Sequence, residues 1–161
     1  MSTSNSDFSF ARDLALRALG PRAKSRSEIL ELLKKKNVDS EIAASVCDDL
    51  EIHGFLNDLD FAHQWVESRI RQKKSSKLII ANELKTKGID PQFISEALSH
   101  ISEEQQLELA FQIASKKYRQ ISHLATQEIK EKIGALLARK GYPYSATAKV
   151  MEKLLEKQLE N

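Results

Sequence analysis

The sequence contains little cysteine, glycine or proline. Among its 161 residues there are one Cys, 5 Gly and 3 Pro. A single cysteine excludes an intrachain disulfide and a zinc cluster built from cysteines, and Cys47 falls where an apolar helix face would bury its thiol. Because Leu, Ala, Ile, Glu and Lys are abundant while glycine and proline are scarce, the composition favours helices over sheet.

Long apolar segments are also missing. No apolar run approaches the ~20 residues of a membrane span. Residues 1–7 lack the basic and apolar regions of a signal peptide and are predicted to form a disordered N-terminal tail. These absences predict a cytoplasmic protein without a membrane partner.

The residue patterns of common catalytic sites are absent as well. There is no glycine-rich phosphate loop and no nucleophile elbow. Asp58 and Asp60 resemble a carboxylate pair, but helix capping accounts for them more simply. The four histidines share no metal-ligand spacing: His53, His63, His100 and His123. We therefore expect no enzyme, no metal and no cofactor.

The sequence does contain an internal repeat. Shifted by 51 positions, the first part of the chain lies over the middle without a gap. A third, looser copy follows, in which Gly141 takes the place of Gly88. Units that cannot close their own core stack on their neighbours. Matching positions include Phe10 with Phe61, Ile29 with Ile80, Leu33 with Leu84 and Asp39 with Asp90.

Apolar spacing divides each repeat into three helices. Ser25 and Glu28 form a capping box at the start of a second helix, and Asp39 caps a third. Phe10 opens the apolar stripe of the first helix. The predicted fold class is all-α, with three tandem three-helix repeats stacked as a solenoid-like array. The predicted repeats span residues 8–55, 56–102 and 103–161.

Charge follows the same repeat. The overlay matches Arg22 to Lys73 and Arg26 to Lys77, whereas the third helices of the first two repeats are acidic. Two interpretations remain open. Basic and acidic helices either neutralise each other on a solvated surface, or the basic positions form a stripe along the array that follows a phosphate backbone or an acidic groove. Because the net charge is only +2, nucleic-acid affinity would come from such local patches.

Several motifs occur in an order that resembles a known family. They are the Ser25–Ile29 helix start, Gly54–Asp58 followed by Phe61-Ala62, the Glu83–Ile89 helix end, and Leu137–Tyr142. Together they resemble the RecX family, regulators of the RecA recombinase, from about Phe10 to Leu155. The chain departs from the family pattern at Lys74-Ser75-Ser76, where many members carry a Gly-aromatic-Gly turn.

The resemblance implies an elongated, curved, all-helical protein that binds in the groove of RecA–DNA filaments. Family members generally restrain strand exchange, ATP hydrolysis and the co-protease function of the filament. The expected partners are the RecA filament and, weakly, single- and double-stranded DNA, with the protein acting as a monomer.

The candidate contacts with DNA or with the acidic filament surface are ten basic residues, chosen by charge and repeat position: Arg22, Arg26, Arg69, Arg71, Lys73, Lys74, Lys77, Lys116, Lys117 and Arg119.

An alternative function belongs to another class of protein, the transcription regulators. Three-helix units also occur in helix-turn-helix transcription regulators, whose recognition helix enters the major groove. The acidic third helices argue against this alternative.

Overall fold

The computed structural model describes the backbone of residues 2–159 and the side chains of residues 4–72 and 74–157. Within these ranges the chain forms nine α-helices and no strand. The predicted all-α fold of three successive three-helix sets is confirmed. The helices are α1 Ser2–Leu19, α2 Arg26–Lys35, α3 Ser40–Ile52, α4 Asp58–Lys73, α5 Lys77–Thr86, α6 Pro91–Ser99, α7 Glu103–Ile121, α8 Thr126–Arg139 and α9 Tyr144–Leu159.

Helix α1 begins earlier than the sequence predicted. It starts at Ser2, so the prediction of a disordered tail is wrong for residues 2–7, while Met1 lies outside the described residues. Phe8 packs against the core, and a helix anchored in this way extends without a new nucleation cost. Phe10 was also misplaced, because its side chain is 59% exposed and Ala11 and Ala15 face the core instead.

The described residues form two compact units. Unit 1 comprises residues 1–64 and 83–97, and unit 2 comprises residues 65–82 and 98–161. The predicted middle repeat is therefore divided between the two units. Buried apolar side chains of α1, α2 and α3, among them Ile29, Leu33 and Val46, build a core in unit 1. Those of α7, α8 and α9, among them Ala114, Ile133 and Val150, build a core in unit 2.

In unit 1, the first turn of α2 is held by residues of the next helix set. The Ser25 hydroxyl donates to the Lys87 carbonyl at 2.7 Å, and the Arg26 amide donates to Asp58 Oδ1 at 2.8 Å. The backbone of Gly88 approaches so closely that a Cβ atom there would lie 2.4 Å from Cβ of Ser27. Donors that a helix start leaves unpaired are satisfied in this way.

Unit 2 repeats this arrangement at the start of α5. The Ser76 amide donates to the Lys140 carbonyl at 3.3 Å, and the Lys77 amide donates to Gln106 Oε1 at 3.0 Å. A Cβ atom on Gly141 would lie 2.4 Å from Oγ of Ser76. Both units thus contain the same contact between the start of a second helix and the Lys-Gly turn of the next helix set, which we call the joint. Gln106 takes in unit 2 the role that Asp58 has in unit 1.

The predicted helix caps are confirmed where side chains were assigned to them. Ser25 and Glu28 form a capping box on α2, and Asp39 accepts from the first turn of α3. Among the helices of the described chain, none combines the length and apolarity that a membrane crossing requires.

Candidate basic interface

Three of the predicted basic residues meet in one groove of unit 2. Lys74, Lys116 and Lys117 line a concavity of about 570 Å³, together with Lys140. We call it the lysine groove. Its other lining residues are polar or apolar, and the described lining includes no carboxylate: Gln72, Gln112, Ile113, Gln120 and Leu136. Four lysines on one lining make the local electrostatic potential positive, which is the condition for attracting an anionic surface.

Helical spacing places most of these side chains. Gln112, Lys116 and Gln120 follow one another at intervals of four on α7. Leu136 and Lys140 have the same spacing along α8 and its C-cap. Residues four apart lie on one face of a helix, so both helices present a continuous edge to the groove.

Lys74 reaches the groove from the turn that follows α4. Its backbone is left-handed, with φ of +50°, and its ammonium group donates to Gln112 Oε1 at 2.6 Å. Its carbonyl accepts a hydrogen bond of 2.6 Å from the Tyr142 hydroxyl. Burial raises the pKa of Tyr142 to about 12, so this hydroxyl keeps its proton at neutral pH.

Lys77 points to a different part of unit 2. It is the first residue of α5, and its ammonium group lies 3.8 Å from Glu103 Oε1. Together with Glu103 and Gln106 it lines a separate pocket of about 310 Å³.

The remaining predicted residues of α4 and α7 lie outside the lining. Arg69 stacks its guanidinium 4.1 Å from the centre of the Trp65 ring. Arg71 pairs with Glu67 at 3.3 Å. Arg119 is exposed near the end of α7. The side chain of Lys73 lies outside the described residues.

The two predicted residues of unit 1 are engaged with acids of the same unit. Arg22 lies 3.2 Å from Glu28, and Arg26 lies 2.8 Å from Asp48 and 3.0 Å from Glu51. Burial of Arg26 alone would lower its pKa, but the hydrogen bonds to Glu51 and Asp48 outweigh it and raise the pKa. These contacts support the interpretation that the basic residues near the start of α2 and the acidic residues of α3 neutralise each other.

Glu28 is the centre of a small ionic network in unit 1. Besides Arg22, it lies 3.1 Å from the ammonium group of Lys87, and it accepts from the Ser25 amide at 2.9 Å. Burial by itself would raise the pKa of Glu28, but these three hydrogen bonds lower it to about 2. The carboxylate is therefore ionised throughout the physiological range.

Other kinds of chemistry find little support in the described residues. Burial raises the pKa of the Cys47 thiol to about 11, which makes it a poor nucleophile. No cluster of three or more His, Cys, Asp or Glu side chains suited to a metal ion occurs within the part of the chain that the structure describes.

Sequence reasoning missed Lys140 and the three glutamines of the lysine groove. Lys140 directly precedes Gly141 and falls where the repeat carries Lys87 before Gly88, so the repeat offered a signal for it. Gln112 and Gln120 lie one helical turn from Lys116, so their spacing on α7 also offered a signal. Gln72 offered none, because it joins the lining only in the folded chain.

Comparisons with known proteins find matches to one family along most of the chain. Three RecX models match in order: the first three-helix domain over residues 11–50, the second over 57–98 and the third over 103–151. "Regulatory protein RecX" of Streptomyces coelicolor is 32% identical over 151 residues, which cover 94% of this chain and 80% of the relative. The protein of the same name from Mycobacterium avium is 34% identical over 143 residues, covering 88% and 82%.

Solved structures support the same fold. The crystal structure of RecX from Lactobacillus salivarius has a TM-score of 0.86 at 23% identity and covers 93% of this chain and 97% of its own. Since all three domains match in order and curated relatives share about a third of their residues over most of both chains, this protein belongs to the RecX family.

Proposed function

We propose that this chain regulates the RecA recombinase, mainly as an inhibitor, by binding in the groove of RecA–DNA filaments. It restrains strand exchange, ATP hydrolysis and the co-protease function during recombination, DNA repair and the SOS response. It acts in the cytoplasm as a monomer, without catalysis and without a cofactor. The observation that carries this proposal is the match of all three RecX domains, in order, to residues 11–151.

The lysine groove is the part of the molecule that we propose for contact with the filament. Its lining gathers four lysines and no described carboxylate, and this local excess of positive charge favours phosphates or an acidic protein surface. Arg22, Arg26 and Lys77 contribute less, because each already pairs with an acid of its own unit. Four further residues remain proposed contacts outside the lining of the lysine groove: Arg69, Arg71, Lys73 and Arg119.

Binding to DNA alone is proposed to be weak. Four phosphate contacts to a single strand give a slope of about −3 in the logarithm of affinity against the logarithm of salt concentration. Such binding is lost at moderate salt, so a stable complex also needs contacts with the recombinase.

Charge argues against the alternative of a sequence-reading transcription regulator. A recognition helix uses basic and polar side chains in the major groove. Helices α3 and α6 contain no lysine or arginine, and Asp48 of α3 is engaged with Arg26.

The proposal is tested with the cognate recombinase assembled on single-stranded DNA. We expect that adding this protein below the filament stoichiometry lowers the steady-state rate of ATP hydrolysis. A rate that stays constant up to equimolar protein, with filaments of unchanged length in electron micrographs, would exclude the proposed regulation. Selective protection of particular sequences in random duplex DNA would favour the transcription regulator instead.

A further inference from the structure

Lys74 adopts a backbone conformation that a lysine seldom adopts. Its φ of +50° lies in the left-handed region, where the Cβ atom of an L-residue meets the following carbonyl and which glycine occupies far more readily. Its amide still donates to the Ile70 carbonyl at 3.2 Å, one residue beyond the end of α4. A conformation of this kind persists only where neighbouring groups hold it.

Two hydrogen bonds hold the turn around Lys74 against the turn between α8 and α9. The Tyr142 hydroxyl donates to the Lys74 carbonyl at 2.6 Å, and the Ser76 amide donates to the Lys140 carbonyl at 3.3 Å. The Tyr142 side chain is only 4% exposed, so water competes little for its hydroxyl. Both turns contribute a lysine to the lysine groove. The two hydrogen bonds therefore fix the backbone positions of Lys74 and Lys140 relative to each other.

Unit 1 shows that the joint itself does not need the hydroxyl. The residue after Gly88, which corresponds to Tyr142 after Gly141, is Ile89, and it is equally buried. The position that corresponds to Lys74 under the 51-residue shift is Ala23. A hydroxyl donor and a left-handed lysine thus occur together in the unit that contains the lysine groove.

We propose that Tyr142 is a positioning residue for the lysine groove: its hydroxyl holds the Lys74 backbone in the left-handed conformation and so keeps the Lys74 ammonium group beside Gln112. This proposal rests on the proposed function of the groove as the contact for the filament. Without the hydroxyl, the turn relaxes toward the ordinary helical or extended region and Lys74 leaves the groove, while the apolar ring of residue 142 still fills its place in the core.

The first test measures the position of Lys74 without any recombinase. Amine labelling of the folded protein, followed by mass spectrometry, gives the reactivity of Lys74 relative to that of Lys35, which is 75% exposed on α2. In Tyr142→Phe, loss of one buried hydrogen bond should raise the relative reactivity of Lys74 about 3- to 10-fold. Unchanged reactivity in a variant that melts as one folded species would overturn the proposal.

A matched variant separates positioning from a general loss of stability. Tyr118→Phe removes a hydroxyl from a second tyrosine of unit 2, which is partly buried against the same core, and should leave Lys74 labelling unchanged. If both substitutions raise the reactivity of Lys74 equally, labelling reports general loosening and Tyr142 has no positioning role.

The second test asks whether Tyr142 acts through Lys74. Tyr142→Phe should raise the concentration needed for half-maximal inhibition of filament ATP hydrolysis about 3- to 10-fold, but should add nothing in a Lys74→Ala background. Equal losses in both backgrounds would contradict the proposal. If the wild-type protein leaves hydrolysis unchanged, the regulatory function fails, whereas the labelling result still decides the role of Tyr142.

Discussion

At the scale of single residues, the glycines at the ends of second helices serve two purposes. Gly88 and Gly141 have φ of +73° and +82°, and a Cβ atom on either would lie 2.4 Å from a serine of the preceding helix set. Asn37 occupies the corresponding position in the first set at φ of +60° and carries a side chain. Positive φ alone therefore tolerates asparagine, and the close approach of a neighbouring helix makes glycine necessary.

Replacing Gly88 should cost far more than replacing a glycine that only relaxes the backbone. Gly88→Ala places a Cβ atom against Cβ of Ser27, which no side-chain rotation can move, whereas Gly54→Ala meets nothing within 4 Å at a similar φ of +77°. We expect a loss of about 1 kcal/mol for Gly54→Ala and about 2–4 kcal/mol for Gly88→Ala. Equal losses in urea unfolding would show that the close approach has no energetic weight.

We expect Lys74 to lower the stability of the fold while it contributes to inhibition. Lys74→Gly removes the left-handed strain and should raise the free energy of unfolding by about 0.5–1 kcal/mol, while it removes one cation from the lysine groove. Thermal melting and filament ATP hydrolysis measured on the same preparation should show a more stable protein that inhibits less well. A variant that is both less stable and fully inhibitory would contradict the role assigned to this residue.

At the scale of elements, the start of α2 is stabilised by a carboxylate shared among three donors. Glu28 closes the capping box on Ser25 and also pairs with Arg22 and Lys87. Lys87 belongs to the segment that follows α5, so one side chain joins α2 to the next helix set within unit 1. A cap alone contributes about 1 kcal/mol, and the two cations add charge-assisted hydrogen bonds.

This network predicts a specific acid sensitivity. The pKa of Glu28 falls from an ordinary 4.5 to about 2 on folding. Because the folded pKa is the lower one, the stabilisation is present above pH 4.5 and is lost as the pH falls toward 2. It amounts to about 2–3 kcal/mol once solvent screening of the partly exposed pair with Arg22 is allowed for. Glu28→Gln keeps the capping geometry and should therefore be less stable than wild type at pH 7 but nearly equal to it at pH 2.

The measurement is the free energy of unfolding in urea across this pH range. Glu31→Gln removes a carboxylate from the same helix, where Glu31 is 67% exposed and pairs with Lys35 at 3.4 Å, and it should stay close to wild type at every pH. A Glu28→Gln variant that runs parallel to wild type from pH 7 to pH 2 would contradict the proposed network.

The helices could be predicted from the sequence where local chemistry determines them. Apolar periodicity predicts the three helix sets, and the caps at Ser25 and Asp39 follow from side chains that accept hydrogen bonds from their own first turn. The start of α1 could not be predicted, because Phe8 holds it through contacts with the core of unit 1. The close approach at Gly88 depends likewise on a serine 61 positions earlier in the chain.

The candidate site was only partly predictable for a related reason. Lys74, Lys116 and Lys117 were chosen by charge, and the fold brings them together with Lys140. Arg26 was chosen by the same rule, yet it lies between Asp48 and Glu51. Charge and repeat position do not distinguish a lysine facing a groove from an arginine facing acids, because the distinction depends on which helices are neighbours.

At the scale of the whole molecule, the net charge of +2 does not describe the local charge, which differs between the two units. In unit 1, Arg22 and Arg26 pair with nearby acids, whereas the lining of the lysine groove in unit 2 gathers four lysines and no described carboxylate. Long-range attraction to DNA is therefore weak, and the regulatory role that we propose depends on one local surface. This distribution is consistent with the proposed binding to a RecA–DNA filament that has already formed.

The most direct measurement compares two matched charge reversals in filament ATP hydrolysis. Lys116→Glu with Lys117→Glu changes an adjacent pair on α7 in the lysine groove, and Lys34→Glu with Lys35→Glu changes an adjacent pair at the end of α2. Both alter the net charge equally. We predict that the α7 pair weakens inhibition at least about tenfold, the loss expected for two charge-assisted contacts, while the α2 pair inhibits like wild type. Equal effects of the two pairs, or full inhibition by the α7 variant, would contradict the assignment of the lysine groove as the contact with the filament.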